Sequence, residues 1–178
     1  MRVAPFSPGD LEEVYALRIV NEAVAIRATV PHLNQDDMAT LHADIARMES
    51  LSGGDIAVWE PVHRHFHHTL VAYSGVRLVT LIQQLSDHAE RYRLVYLPRE
   101  PRAWSVGAAE HRDIVALCEA RDAPGAADAL ARHLARTAGS MLMQVAPDHE
   151  PILVRSAVRA ATRTEPAARP ARVALQRT

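Results

Sequence analysis

The sequence predicts an all-α fold, an antiparallel bundle of six to seven helices. Apolar residues recur with helical spacing along almost the whole chain, and no stretch shows sustained strand alternation flanked by hairpin turns. Prolines, glycines and capping residues divide the chain into segments of helix length. With 178 residues, 48% hydrophobic and 23% charged, the chain has the composition of a globular domain rather than of a disordered chain.

Two helices are predicted in the first fifty residues. Ser7 can cap the first helix, with Pro8 at its first position, and Pro31 ends it. Asn34 can cap the second helix, which ends before the glycine pair at residues 53–54.

The next two helices surround a histidine-rich segment, HRHFHH, at residues 63–68. The third helix carries this segment and ends near Ser74 and Gly75, and Pro61 fits it only in the first turn. The fourth, VRLVTLIQQLSDHAERYRLVY, ends before Pro98.

A helical hairpin and a tail complete the chain. Helical segments at 104–120 and 125–145 are joined by a turn around residues 121–124. We therefore expect a helical domain over residues 1–147 and a weakly basic tail rich in Ala, Arg and Pro over residues 148–178. The tail segment EPILVRSAVRAATR favours one more helix, and the last dozen residues are expected to be a flexible end.

Composition excludes several classes of protein. The chain has one cysteine, which rules out an internal disulfide or a multi-cysteine zinc cluster, so a metal site would use His, Asp or Glu. The net charge is −1, so the chain lacks the excess of basic residues that is typical of a domain that binds nucleic acid by itself. No apolar run approaches the roughly 20 residues that cross a bilayer, and no signal peptide is evident, so a cytoplasmic location is expected.

The pair His63 and His67 could hold a metal ion. The two residues are four apart and share one face of a helix, whereas His65 points away from that face. An isolated pair of this kind is more often part of a solvated helix face than of a metal site. The pair alone therefore leaves both interpretations open.

Two further histidines favour the metal site. His111 and His133 each lie 11 residues from Asp122, at which the hairpin turns. On antiparallel helices such residues lie at the same height, roughly 16 Å from the bend at 1.5 Å per residue. Both are flanked at helical spacing by apolar residues, and a buried imidazole without a partner is costly. A metal shared with His63 and His67 is the better interpretation.

Several motifs together resemble a known family. Arg18 and Glu22 match an Arg followed by a Glu four residues later in its first helix, and HRHFH at 63–67 followed by SGV matches its D-x-x-F-H and SGN motifs. The most specific match is a closing pattern made of an E-H pair, a turn and a final H-L, here Glu110-His111, Ala120 with Asp122, and His133-Leu134. From about Asp10 to Val145 the chain thus resembles the ligand-sensing FCD domain of FadR-type regulators in the GntR family.

The resemblance implies a metal-dependent sensor of small carboxylates. Family members bind a divalent metal through an Asp and three histidines, and the matching positions here are His63, His67, His111 and His133. His63 stands where the family has Asp, which favours a metal that prefers nitrogen, zinc above all, or nickel or copper. Arg18 and Arg91 are the expected partners of a second charged group on the effector. Val76 replaces the family's Asn.

The resemblance also implies partners. Family members pair, so we expect a homodimer, with Ile152, Leu153 and Val158 as exposed apolar positions of the tail. The family's winged helix, which binds DNA, has no counterpart in this sequence, so DNA contact is expected only through a module outside this chain.

The sequence thus predicts a sensor domain that is not an enzyme. Two other functions remain as alternatives. A metal-dependent hydrolase or isomerase could use metal-bound water, with Glu110 as base. A purely structural zinc would have four protein ligands and no open position. No second acid–base constellation accompanies the histidines, which favours the sensor.

Overall fold

The structure, a computed structural model, describes residues 7–162. Within this range the chain forms helices and no strand, which confirms the predicted all-α bundle. The seven α-helices are α1 (Pro8–Thr29), α2 (Gln35–Ser50), α3 (Ile56–Val71), α4 (Val76–Tyr96), α5 (Pro101–Glu119), α6 (Ala123–Val145) and α7 (Ile152–Ala161). The expected flexible end falls outside the described residues.

Side-chain caps fix where the helices begin. Ser7 Oγ accepts a hydrogen bond from the Asp10 amide at 3.2 Å at the start of α1. Asn34 and Asp37 form a reciprocal capping box at the start of α2, with distances of 3.0 and 2.9 Å between side chain and backbone. Asp122 accepts from the Gly125 amide at 2.9 Å and caps α6.

One boundary differs from the sequence prediction. Asp55 caps α3, which begins at Ile56, so Pro61 lies in the second turn and not in the first. A proline there removes one backbone hydrogen bond of the helix. The helix continues to Val71 because its buried face, which includes Phe66 and Leu70, packs into the core.

Helix α1 lies at the centre of the bundle. Asp10 near its start pairs with Arg91 near the end of α4, and Arg27 near its end lies 3.7 Å from Asp128 near the start of α6. Both α4 and α6 therefore run antiparallel to α1. Helix α7 runs parallel to α1, because the Leu153 amide donates to Glu12 at 2.6 Å and Arg27 donates to the Ala161 carbonyl.

Helix α7 buries only one face. Val154, Ala157 and Ala161 are buried, and Val158 is partly buried against the core, whereas Ile152 and Leu153 are exposed. Val158 is therefore less exposed than the tail sequence predicted. No described helix is long and apolar enough to span a membrane.

The turn between α5 and α6 has a defined geometry. Arg121 adopts a left-handed φ of 58°, the Asp122 amide donates to the Leu117 carbonyl at 2.9 Å, and the Arg121 amide donates to the Cys118 carbonyl at 3.1 Å. This is the Schellman pattern that ends a helix and reverses the chain. The bend falls at the residue from which His111 and His133 are equidistant.

Candidate metal centre

Four buried histidines meet between helices α3, α5 and α6. His63 and His67 come from α3, His111 from α5 and His133 from α6, and each is at most 5% exposed. Each offers one ring nitrogen such that all four nitrogens lie within 4.8 Å of one another. The structure thus brings together the four residues that the sequence singled out.

Aromatic side chains pack around this cluster. Trp59 stacks on His63 with ring centroids 4.4 Å apart and planes inclined by 19°. The Phe66 ring lies 4.7 Å from that of His111 and 5.5 Å from that of His67. These rings restrict the rotation of the imidazoles.

Three of the four histidines face a glutamate with their Nδ1 atoms. The Nδ1 to carboxylate distances are 2.8 Å for His133 and Glu110, 3.4 Å for His67 and Glu22, and 3.7 Å for His63 and Glu60. A carboxylate at Nδ1 leaves Nε2 to bind a metal and fixes the ring orientation, which is the usual support of metal-binding histidines.

Each of these glutamates is in turn held by an arginine. Glu22 accepts from Arg18 Nε at 2.7 Å, Glu60 accepts from Arg93 Nε at 3.1 Å, and Glu110 accepts from Arg136 Nε at 2.5 Å. Among the described residues, three His–Glu–Arg series therefore converge on one point. Sequence reasoning missed Glu60, Arg93 and Arg136, although the spacing of three residues between Glu60 and His63, and between His133 and Arg136, was a usable signal.

Burial keeps the imidazoles uncharged. Desolvation lowers the pKa of His67 to about 4, although Glu22 acts in the opposite direction. Desolvation also lowers the pKa of His63 and of His111 well below the usual value, and that of His133 in the same direction. Neutral imidazole is the form that binds metal ions.

The glutamates remain ionised. Burial alone would raise the pKa of Glu22, but the Arg18 guanidinium and His67 lower it to about 2. Burial opposes ionisation of Glu110 too, but His133 and Arg136 lower its pKa to about 2. The pKa of Glu60 is likewise lowered, since Arg93 outweighs desolvation. Three carboxylates and three guanidinium groups cancel, so the ten residues carry no net charge.

These residues fit a divalent metal. The Nε2 atom of His67 is buried without a hydrogen-bond partner, which is costly for a polar atom. A cation on Nε2 would satisfy that atom and strengthen the interaction between Nδ1–H and Glu22. Four nitrogen donors with carboxylates behind three of them are a donor set for zinc, nickel or copper.

Two cavities flank the cluster. We call the first the tryptophan cavity; it has a volume of about 40 Å³, and its lining includes His63, His111, His133, Trp59, Trp104 and Arg93. The second, of about 210 Å³, lies against the other side, and its lining includes His67, Arg18, Arg64, His65 and His68.

The two arginines that the sequence nominated lie in different surroundings. Arg18 is buried next to the cluster and lines the second cavity, with its Nε bound to Glu22. Arg91 lines neither of the two cavities and pairs with Asp10 and Tyr92 near the end of α4. The α4 arginine beside the histidines is Arg93. His65 is exposed and pairs with Asp44 at 2.7 Å, away from the cluster as predicted.

Comparison with known proteins is consistent with this architecture. A transcriptional regulator of the GntR family from Pseudomonas syringae pv. tomato str. DC3000 is similar, with a TM-score of 0.67 and 26% identity over 83% of this chain and 63% of that one. Escherichia coli McbR/YncC has a similar fold, with a TM-score of 0.68 and 21% identity over 75% of this chain and 68% of that one. The chain thus spans about two thirds of the length of these structures.

Sequence comparison gives the family directly. No curated protein matched the chain. The family model of the FCD domain, however, matches residues 13–136, which include all four clustered histidines and their glutamate partners. The chain therefore belongs to the FCD domain family.

Proposed function

We propose that the chain is the effector domain of a GntR-family transcription regulator, and that it binds a small carboxylate at a divalent metal held by His63, His67, His111 and His133. The observation that carries the proposal is the convergence of four neutral imidazoles, three of which face ionised glutamates with Nδ1. Zinc is the proposed ion, with nickel or copper as alternatives, because all four donors are nitrogen.

The charge of the centre supports an anionic effector. The four histidines, three glutamates and three arginines sum to zero, so a divalent ion would add two positive charges to a buried region. A buried charge without a counter-charge is strongly unfavourable. The tryptophan cavity gives a ligand access to three of the histidines, and a carboxylate at this position would balance part of the charge.

The supporting contacts connect the site to most of the bundle. Glu22 and Arg18 belong to α1, and Arg93 belongs to α4, so the hydrogen bonds that support the histidines of α3, α5 and α6 extend to two further helices. Effector binding would shift the packing of these helices. In a homodimer that also carries winged-helix modules, this shift would change the spacing of the modules on DNA.

The structure offers a reason to prefer sensing over catalysis. Glu110 is the base that a hydrolase or isomerase would use. Both of its carboxylate oxygens are already hydrogen-bonded, one to His133 and the other to Arg136. These contacts lower its pKa to about 2 against the effect of burial, and such a weak base contributes little at neutral pH.

A thermal-shift screen of small carboxylates tests the proposal. The zinc-loaded protein should be stabilised by one class of carboxylates, and a chelator should abolish that stabilisation, since a ligand that binds only the folded protein raises its apparent stability. Stabilisation of equal size in the chelator-treated, metal-free protein would contradict the proposal.

A further inference from the structure

Helix α2 forms one wall of the tryptophan cavity. Ile45, Met48 and Glu49 line this cavity, and so does Ser52 in the loop that follows the helix. Three of the four clustered histidines line the same cavity, whereas His67 is the one member of the cluster that lines the second cavity. Most of the donor set is therefore reached from the side that α2 covers.

The tryptophan cavity is closed to anything larger than water. Its volume of about 40 Å³ has room for only a few water molecules. Each of the four clustered histidines is at most 5% exposed. A hydrated metal ion or a carboxylate reaches the histidines on this side only when part of the cavity wall moves away.

Few buried contacts hold α2 in place. The helix packs mainly on α3 and α5, and within it Leu41, Ile45 and Met48 are the buried residues. Two of these three, Ile45 and Met48, line the cavity. A small number of buried apolar contacts is typical of segments that open locally while the rest of the protein stays folded.

Ion pairs on the surface connect α2 to its two neighbours. Among the described residues these pairs are Asp44 with His65, His42 with Glu119, and Glu49 with Arg112. One side chain of each pair is more than half exposed. Exposed pairs of this kind are weak, because water and salt compete with them, so they can break and form again without unfolding the protein.

The two ends of α2 are held differently. At the start, the Tyr73 hydroxyl donates to Asp37 at 2.9 Å and accepts from the Asn34 amide group at 3.4 Å. At the end, the helix leads into the exposed residues 52–55, in which Gly53 has a φ of 74° and open space around its Cα. This φ favours glycine. The end of α2 beside the cavity can therefore swing about the start of the helix.

We propose that residues 41–54, the end of α2 and the loop after it, form a lid over the histidines, and that zinc enters and leaves the cluster when this lid opens. The inference rests on the proposed function, because it needs the metal centre. None of the three ion pairs includes a metal-facing histidine or its glutamate. The pairs therefore set how often the lid opens, and they leave the affinity of the closed site for the ion unchanged.

The first experiment measures zinc exchange with a loosened lid. Asp44→Asn with Glu49→Gln removes the charges of two ion pairs. Stopped-flow uptake of zinc and its transfer to excess chelator should both become about three- to tenfold faster, with an unchanged Kd, because opening precedes both steps. A changed Kd without equal changes in the two rates would show that these residues support the bound metal instead, and would overturn the lid.

A matched control loosens the other side of the cluster. Arg64 lines the second cavity and pairs with Asp87 and Glu90 on α4. Asp87→Asn with Glu90→Gln removes the same negative charge from the protein as the lid variant does, so it controls for long-range attraction of zinc. Zinc should exchange at the native rate in this control. Faster exchange here than in the lid variant would place the route at the second cavity and overturn the proposal.

The second experiment fixes the lid. Asp44→Cys with His65→Cys places thiols on α2 and α3 where the native side chains meet at 2.7 Å. A short bifunctional maleimide joins the thiols, and a monofunctional maleimide on the same variant is the control. Cys118 is buried, and burial raises its thiol pKa to about 12, so it does not react. Cross-linking should slow zinc exchange about tenfold or more. Equal rates in the cross-linked and capped proteins would overturn the lid.

The outcomes separate the lid from the proposed function. If the protein binds zinc at the histidines but exchanges it at one rate whether the lid is native, loosened or fixed, the lid is wrong and the metal centre stands. If the protein binds no zinc at the histidines, both proposals fail.

Discussion

The Nε2 atoms of His111 and His133 lie 3.3 Å apart, although 22 residues separate them in the chain. The Schellman turn at Arg121 and Asp122 ends α5 and begins α6 such that both residues lie at one height. Two buried imidazoles at this distance either share a proton or bind a common ion.

Substitution of His111 or His133 by alanine should reduce bound metal sharply. Either change removes one of the four closely spaced nitrogen donors. A metal that binds only the folded protein also stabilises it, by about 4 kcal/mol when the free ion is at a thousand times its Kd, so the variants should be less stable as well. Metal analysis of the purified variants and chelator-dependent melting measure both effects. His65→Ala is the control, because His65 is exposed and pairs with Asp44, so its metal content should equal that of the native protein.

Replacement of His63 by aspartate should keep the metal, whereas His63→Ala should weaken its binding. Aspartate restores the ligand that the FCD pattern has at this position and provides an oxygen donor in place of nitrogen. The preference for zinc over manganese should therefore fall in His63→Asp. Competition between the two ions tests this, and an unchanged preference would show that residue 63 does not bind the metal.

Glu110→Gln should lower metal affinity about 10- to 100-fold, the range typical of lost carboxylate partners of metal-binding histidines. Glu110 lies 2.8 Å from His133 Nδ1, and Arg136, its other partner, is partly exposed and tolerates the loss. The matched control is Glu119→Gln, which alters an exposed pair with His42 and should have no effect. Titration against a chromophoric chelator gives the affinity; equal values for the two variants would contradict the prediction.

The metal-free protein should lose stability as the pH falls from about 6.5 to about 4. The pKa of His67 is lowered by burial to about 4, so over this range the unfolded chain binds a proton that the folded chain does not, and the free energy of unfolding falls with pH. Glu22 and Glu110, with pKa values lowered to about 2, lose their contributions only at lower pH, below the usual pKa near 4.5. Urea titrations at several pH values measure the slope, which should be smaller in His67→Gln. An equal slope in that variant would rule out a contribution of His67 to the pH dependence.

We predict a homodimer that uses the exposed apolar side chains of α1. Leu17, Val20 and Val24 are 52%, 38% and 53% exposed and lie at helical spacing on one face. Val24→Glu should therefore weaken the dimer at least tenfold, because it buries a charge in an apolar interface. Val106→Glu, which changes an exposed valine on α5, is the control. Sedimentation at micromolar concentration measures both, and a native protein that is only monomeric would refute the prediction.

The sequence by itself determined the helices and the four histidines. Local signals such as the Asn34 capping box and the prolines fixed the helix limits to within a few residues, except at Pro61, where burial of the helix face prevailed over the proline. Two spacings predicted the cluster from the sequence alone. His63 and His67 are four residues apart, and His111 and His133 are equally far from Asp122.

Only the tertiary structure decided which groups support the histidines. Arg91 and Arg93 are two residues apart and so face opposite sides of α4, and sequence periodicity does not tell which side meets the cluster. Packing of α4 against α1 and α3 directs Arg93 inward to Glu60 and leaves Arg91 with Asp10. The ion pair between Arg93 and Glu60, which supports His63, joins two residues that lie 33 positions apart in the chain. Such contacts are set by how the helices pack, and helix propensity carries no information about them.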